Sequence, residues 1–231
     1  MDQSVYEDWL YLVNSKRKEC ESLKVMELAC GTGKVAVQLA LDGHDVTGVD
    51  LSDDMLAIAY DLMQTEGVNL QLIQADMREL DEIDSFDMVT CFSDSLCYLF
   101  EEEELEQVFQ GVYQNLTTDG TFLFDVHSLY QMTDIFPGYQ YIYQDEDEAF
   151  LWESFGLEEE HAVEHILTFF VADEDGRFER LQEVHEERSF PIEVYKALLE
   201  KVGFKNIEVT ADFGRASIDD TTTRWFFSAQ K

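Results

Sequence analysis

The segment Val25-Met26-Glu27-Leu28-Ala29-Cys30-Gly31-Thr32-Gly33 constrains this chain more than any other stretch. A short apolar run enters a turn with two glycines, an apolar-periodic run opens at Lys34, and Asp50 ends the next apolar run. Strand, glycine turn, helix and second strand form the opening unit of a parallel α/β sheet. Glycine is needed at such a turn because a Cβ would block a close-approaching ligand or forbid the turn conformation. The layout suits a cofactor that carries a nucleoside.

The rest of the chain extends the pattern. The periodicity predicts an amphipathic helix over 2–15, with Val5, Trp9, Leu12 and Val13 on one face. Strands are expected over 24–29, 45–50, 69–74, 86–92 and 120–126, alternating with helices over 34–41, from the cap Ser52 to about Gln64, and over 101–115. That alternation predicts a Rossmann-like, doubly wound seven-stranded sheet, the last two strands being 205–210 and 223–229 with the last antiparallel. Between the fifth strand and the last helix, which Pro191 opens and Gly203 closes, the period changes to 2. Residues 139–188 are rich in Tyr, Phe and Leu, are broken by acidic turns such as Asp173-Glu174-Asp175-Gly176, and predict an antiparallel insertion of about four strands. The expected organisation is one cofactor-binding domain over 1–130 and 189–231, with 131–188 as an acceptor-side lid or homodimer surface.

Composition narrows the partners. A formal net charge of −35 repels phosphate backbones and anionic lipids, and Lys16-Arg17-Lys18 is the one basic cluster. Neither nucleic acid nor membrane is expected as a partner. No apolar run approaches the roughly 20 residues of a membrane helix, and the first residues lack a secretory pattern, so the expected location is the cytoplasm. Cys20, Cys30, Cys91 and Cys97 show neither a disulfide framework nor zinc spacing and read as buried thiols. Histidines and carboxylates show no local metal-ligand spacing, so no metal is expected.

Gly31-Thr32-Gly33-Lys34-Val35-Ala36 matches G-x-G-x-x-A, and Asp50 supplies an acidic residue downstream, so an NAD-dependent oxidoreductase fits the spacing. Glu27 argues the other way. A pyrophosphate at this turn carries about two negative charges, which a neighbouring carboxylate opposes. S-adenosylmethionine has no phosphate and carries a cationic sulfonium and ammonium.

V-x-E-L-A-C-G-T-G, then G-V-D-L-S, A-D-M-R-E-L and F-D-M-V-T-C resemble, in order, the motifs of class I S-adenosylmethionine-dependent methyltransferases. The later D-V-H-S and the antiparallel insertion are similar to a group of small bacterial methyltransferases of mostly unassigned substrate. The resemblance implies that backbone around Ala29, Gly31 and Gly33 borders the methionine part of the cofactor and that Glu27 helps fix that end. It implies that Asp50 binds the ribose hydroxyls, Leu51 packs on adenine, Asp76 accepts from the adenine amino group and the Met77 backbone meets a ring nitrogen. Cys91, Phe92 and Ser93 would line the cofactor near its sulfur. Such proteins open with a tyrosine-rich segment that closes over the cofactor, a place that Tyr6 and Tyr11 would take here. A protein that binds the cofactor without turnover is the non-enzymatic alternative.

Methyl transfer from a sulfonium is an in-line displacement with a good leaving group, so alignment and exclusion of water carry most of the task. The expected acceptor is a small molecule with a nitrogen or oxygen nucleophile, a neutral or cationic amine among them. Candidates for its proton lie at the carboxyl ends of the strands, where open α/β sheets bind ligands. They are His127 first and Asp94 second, with Ser95 and Tyr98 nearby. Each has a structural alternative: His127 as a satisfied core histidine, Asp94 as the cap of a short helix at 95–99, Asp76 as the cap of a turn at 77–80. His161, His165 and His185 are expected on strand surfaces.

Overall fold

A computed structural model describes residues 3–16, 22–173 and 176–231. Arg17, Lys18, Cys20, Glu174 and Asp175, named above, lie outside the described residues, as does the side chain of Val5. In chain order the elements are α1 (Gln3–Ser15), β1 (Lys24–Leu28), α2 (Lys34–Leu41), β2 (Asp45–Asp50), α3 (Asp53–Glu66), β3 (Gln71–Gln74), β4 (Phe86–Cys91), α4 (Glu102–Asn115) and β5 (Leu116–His127). The insertion follows as β6 (Gln140–Gln144), β7 (Glu148–Gly156), β8 (Ala162–Ala172) and β9 (Phe178–Arg188). The chain then returns through α5 (Ile192–Val202), β10 (Lys205–Thr210) and β11 (Arg224–Gln230).

The large sheet runs β10-β11-β5-β4-β1-β2-β3. The strands from β5 to β3 are parallel, and β11 is antiparallel to both β5 and β10, as the strand pattern predicts. Two apolar layers cover it. On one face Phe109, Phe122, Phe124, Tyr195 and Phe227 pack from α4, β5, α5 and β11; on the other, Trp9, Leu12 and Val13 of α1 meet Leu39, Phe92 and Phe226. Parallel strands covered on both faces read as near-continuous apolar runs, which is why β4 and β5 are legible as strands.

Local chemistry sets most boundaries. Ser52 caps α3, its hydroxyl accepting from the Met55 N–H at 3.2 Å, with Asp53 and Asp54 in the positive first turn. β1 stops at Leu28, one residue before the expected end, because Ala29 turns to φ +52°. β5 begins at Leu116 and not at Gly120: Asp119 takes φ +66° and the register against β4 shifts, so the turn-like Thr-Asp-Gly becomes a bulge inside the strand.

The small sheet runs β6-β7-β8-β9, all antiparallel. Its register decides which residues share a face, since neighbouring side chains alternate. Tyr143, Phe150, Phe169 and Leu181 stand opposite one another in one row. Ser154, His165 and His185 form a second row on that same face, and Glu187 lies two residues beyond His185. This inner face packs Val163 and Trp152 on Met132 and Phe136 of the segment after β5, and Phe136 in turn meets His127 at the end of β5.

Candidate active site

The glycine turn links β1 to α2 with a run of left-handed residues: Ala29 at φ +52°, Gly31 at +52° and Gly33 at +74°. A Cβ on Gly33 would lie 2.8 Å from the Ala59 Cβ, so glycine here lets α2 and α3 approach. A Cβ on Gly31 would meet nothing within 4 Å, leaving open space beside a backbone that L side chains avoid. The Asp50 carboxylate ties the turn down, one oxygen accepting from the Gly31 N–H at 2.7 Å and the other from Ser52 at 2.9 Å.

Glu27 lies beneath this turn, 4 % exposed, and its Oε2 has no hydrogen-bond partner. Burial, opposed by the Ala36 backbone N–H and assisted by the Asp50 charge, pushes its carboxyl up to about 8. An orphaned buried carboxylate oxygen calls for a cationic or donating partner. A cleft of about 230 Å³ opens beside the turn, lined by Ala29, Asp50, Leu51, Asp76, Met77 and Tyr98 among others. That volume is under the roughly 300 Å³ at the low end of small-molecule sites, so it suits the nucleoside end of a cofactor and not the whole of one. Leu51 is 64 % exposed there, apolar surface offered to a flat ring.

The other expected positions divide. Asp76 caps the short turn Met77–Glu79, accepting from the Arg78 N–H at 2.9 Å, and both its oxygens also bind the Arg78 guanidinium. Arg78 hydrogen-bonding holds that carboxyl below its ordinary value. Cys91 and Phe92 are buried in the core, Phe92 stacked on Trp9 with centroids 4.7 Å apart, while Ser93 is partly exposed at φ +58°. Cys30, Cys91 and Cys97 are free and buried, and burial pushes all three thiols up. Tyr6 packs on Lys34 and Tyr11 on Arg215.

Asp94 does not cap the short helix Ser95–Tyr98: it sits at φ +53° and its side chain makes no cap bond. One of its oxygens meets Arg224 Nη2 at 2.6 Å and the other faces His127 Nε2 at 3.3 Å. Arg224 also binds Asp125, wholly buried in β5, and Asp125 accepts from the Asp94 N–H at 3.1 Å. Burial pushes Asp125 up to about 6; burial acts likewise on Asp94, but Arg224 and His127 outweigh it and hold that carboxyl low.

On its far side His127 Nε2 lies 3.7 Å from Glu187 Oε2, and His165 Nε2 is 3.7 Å from the same oxygen. His165 is 3 % exposed, not on a strand surface as alternation suggests, because the inner face of β8 packs against Phe136 and Trp152. Phe136 bridges to His127, with centroids 4.9 Å apart. Tyr98 connects the two halves: it lines the cofactor cleft and its hydroxyl bonds His185 Nδ1 at 3.1 Å. The covered part of its ring, then the charges of Glu187 and Asp94, push the phenol up. Cofactor cleft and acidic pocket are therefore adjacent.

Sequence reasoning finds Asp94 and His127 but misses Glu187, Arg224, Asp125 and His165. Asp125 carries the one usable signal, a charge inside the apolar run Phe122–Val126. Glu187 is one of several acidic residues in β9 and is singled out only by register.

Comparison with known proteins identifies similar chains. Residues 25–120 match the family described as Methyltransferase domain. A candidate methyltransferase of Geobacillus sp. (strain WCH70) is 42% identical over 234 residues, spanning 100% of this chain and 95% of its own. A glycine/sarcosine N-methyltransferase of Parasynechococcus marenigrum (strain WH8102) is 28% identical, over 86% of this chain and 68% of its own. The crystal structure of an S-adenosylmethionine-dependent methyltransferase from Clostridium acetobutylicum ATCC 824 superposes with a TM-score of 0.88 at 27% identity, covering 97% of this chain and 91% of that one.

Proposed function

The chain belongs to the class I S-adenosylmethionine-dependent methyltransferases, and we propose that it methylates a nitrogen or oxygen of a small molecule held between Asp94, His127 and the inner face of the insertion. The oxidoreductase reading of the glycine turn falls with that membership. When bound, S-adenosylmethionine supplies an electrophilic methyl group and departs as S-adenosylhomocysteine. The residues at the turn fit it: the orphan Glu27 oxygen suits a cationic or donating group. Glu27 and the backbone at Ala29, Gly31 and Gly33 would hold the methionine end. Asp50 would take the ribose, Leu51, Asp76 and Met77 the adenine, and Cys91 to Ser93 would border the sulfur.

The observation that carries the acceptor half is the adjacency of the two sites through Tyr98. Asp94 and His127 orient the acceptor, and the Tyr143–Phe150–Phe169–Leu181 row supplies apolar surface above it. A small acceptor accords with the glycine/sarcosine relative, and a charge of −35 disfavours nucleic acid. The buried free thiols suit a cytoplasmic setting. The insertion's outer face exposes Ile142, Phe155 and Val184 and serves, in this reading, as a homodimer contact.

Calorimetry with S-adenosylhomocysteine and NADH tests the cofactor half. S-adenosylhomocysteine is expected to bind, and Asp50→Ala to weaken it by more than tenfold, since a buried charge-assisted hydrogen bond contributes roughly 1.5–3 kcal/mol. Unchanged affinity would remove Asp50 from the ribose. A panel of small amines and alcohols, scored by S-adenosylhomocysteine release, tests the acceptor half. His127→Ala is expected to lower turnover roughly a hundredfold while cofactor binding persists. Binding without turnover on any acceptor would leave a non-catalytic cofactor protein.

A further inference from the structure

We infer that Asp94, His127 and Glu187 together seat a divalent metal ion, at the carboxyl ends of β4 and β5 beneath the inner face of β9. The inference rests on the acceptor-site reading, and it names what Asp94 and His127 do there. Their donor atoms, with Glu187 Oε2, all lie within 4.8 Å of one another. A tetrahedral site with bonds of about 2.1 Å sets its ligand atoms roughly 3.4 Å apart; the observed 3.3 Å and 3.7 Å separations about His127 Nε2 are of that size.

Chemistry at the three atoms points the same way. Two carboxylate oxygens and one imidazole nitrogen converge with no donor among them except a proton on the imidazole. Such a proton, directed to Asp94 at 3.3 Å, leaves Glu187 Oε2 at 3.7 Å without a partner, as observed. Glu187 is only 5 % exposed, and that oxygen is buried, where an uncompensated charge is costly. One cation at the common point serves all three lone pairs.

Local charge gives an independent count. With His127 neutral, as a metal ligand must be, Asp94, Asp125 and Glu187 against the guanidinium of Arg224 leave a net of two negative charges in a largely buried pocket. A divalent ion neutralises both. The supporting contacts are those a metal site needs. Arg224 occupies one Asp94 oxygen and leaves the other free to face His127. His165 is not a fourth ligand: the Trp152 indole N–H donates to its Nδ1 at 3.2 Å, so its hydrogen lies on Nε2 and faces Glu187. Its Nε2 stands 3.7 Å from the Glu187 oxygen, beyond hydrogen-bonding distance.

Three protein ligands leave coordination positions open, as catalytic sites do. A mixed carboxylate and imidazole set suits Mn²⁺ or Zn²⁺. The open positions would take oxygen or nitrogen atoms of the acceptor, which makes a chelating small molecule the substrate class. No sequence motif marks the site because its ligands come from the loop after β4, from β5 and from β9.

The test uses the full chain, freed of metal by a chelator and titrated with MnCl₂ at physiological salt. Electron paramagnetic resonance and calorimetry follow binding, with S-adenosylhomocysteine binding measured alongside. One tight Mn²⁺ per chain is expected above the weak binding of an acidic surface. Glu187→Gln and His127→Gln should each weaken it at least about tenfold, and the nitrogen coupling of a bound imidazole should vanish in His127→Gln. Retained S-adenosylhomocysteine binding shows that each variant is folded. Absence of stoichiometric binding of both Mn²⁺ and Zn²⁺, or equal affinity in Glu187→Gln, overturns the inference. Stabilisation by methylammonium that depends on Glu187, with no Mn²⁺ binding, also overturns it and gives the seat to an amine. Loss of S-adenosylhomocysteine binding in the unaltered chain would sink the cofactor reading instead, and the Mn²⁺ titration would still decide this one.

Discussion

Glu27 concentrates the residue-scale physics of the cofactor site. Its carboxyl keeps its proton to about pH 8 in the folded chain, against an ordinary value of 4.5. Between those values the unfolded chain has released a proton that the folded chain retains. Stability therefore falls as pH rises through that window, by up to about 1.4 kcal/mol per pH unit. Glu27→Gln should remove this slope, so denaturant unfolding of the two proteins should agree near pH 4.5 and diverge toward pH 8, with the variant the more stable. Parallel stability curves would mean that Glu27 is already ionised in the fold. The same proton should leave when a cationic ligand group arrives. Calorimetry of S-adenosylhomocysteine binding near neutral pH, in two buffers of different ionisation enthalpy, should then report proton release.

Among the elements, β11 carries the most unexpected duty. Its first residue, Arg224, is the partner of both Asp94 and Asp125. Breaking a buried ion pair by removing one member costs about 3–5 kcal/mol, because the other charge is left without compensation. Arg224→Met should fall in that range by chemical denaturation, and Asp125→Asn in the same background should recover part of it. A loss below about 1 kcal/mol would show that water already serves those carboxylates. The strands themselves were legible from the letters: apolar runs for β1, β4 and β5, alternation for β6 to β9, turn residues between them. Pairing was not. Glu187, His165 and His185 share a face only because β8 and β9 align Ala162 with Arg188, and a slip of one residue would turn them outward. Asp50 and Gly31 could be read together because they belong to one strand–turn–helix–strand unit, β1-α2-β2. Asp94, His127, Glu187 and Arg224 come from four elements, and no spacing rule spans four elements. The expected absence of metal spacing was a statement about neighbours in sequence, whereas the pocket is assembled by neighbours in space.

For the molecule as a whole, charge and apolar surface oppose each other. A net charge of −35 keeps copies apart, while the outer face of the insertion exposes Ile142, Phe155 and Val184. Light scattering should find a dimer whose share grows as added salt screens the repulsion. Val184→Asp should return it to monomer; a monomer at every salt concentration would remove the insertion from any assembly role. Among the described residues no helix is long and apolar enough to cross a membrane, and the two sheets share the load of burying this chain's aromatics.

The place of β11 in the large sheet also sets an order of events during synthesis. It fits between β5 and β10, yet it is the last of the strands to be made. While the ribosome is still adding residues beyond Thr210, β5 presents a bare edge, and Asp94 and Asp125 have no guanidinium beside them. The glycine turn, by contrast, is built from β1, α2, β2 and α3, all made early. A nascent chain can therefore form its cofactor turn before its acceptor pocket, and the insertion is made while that pocket still lacks a wall.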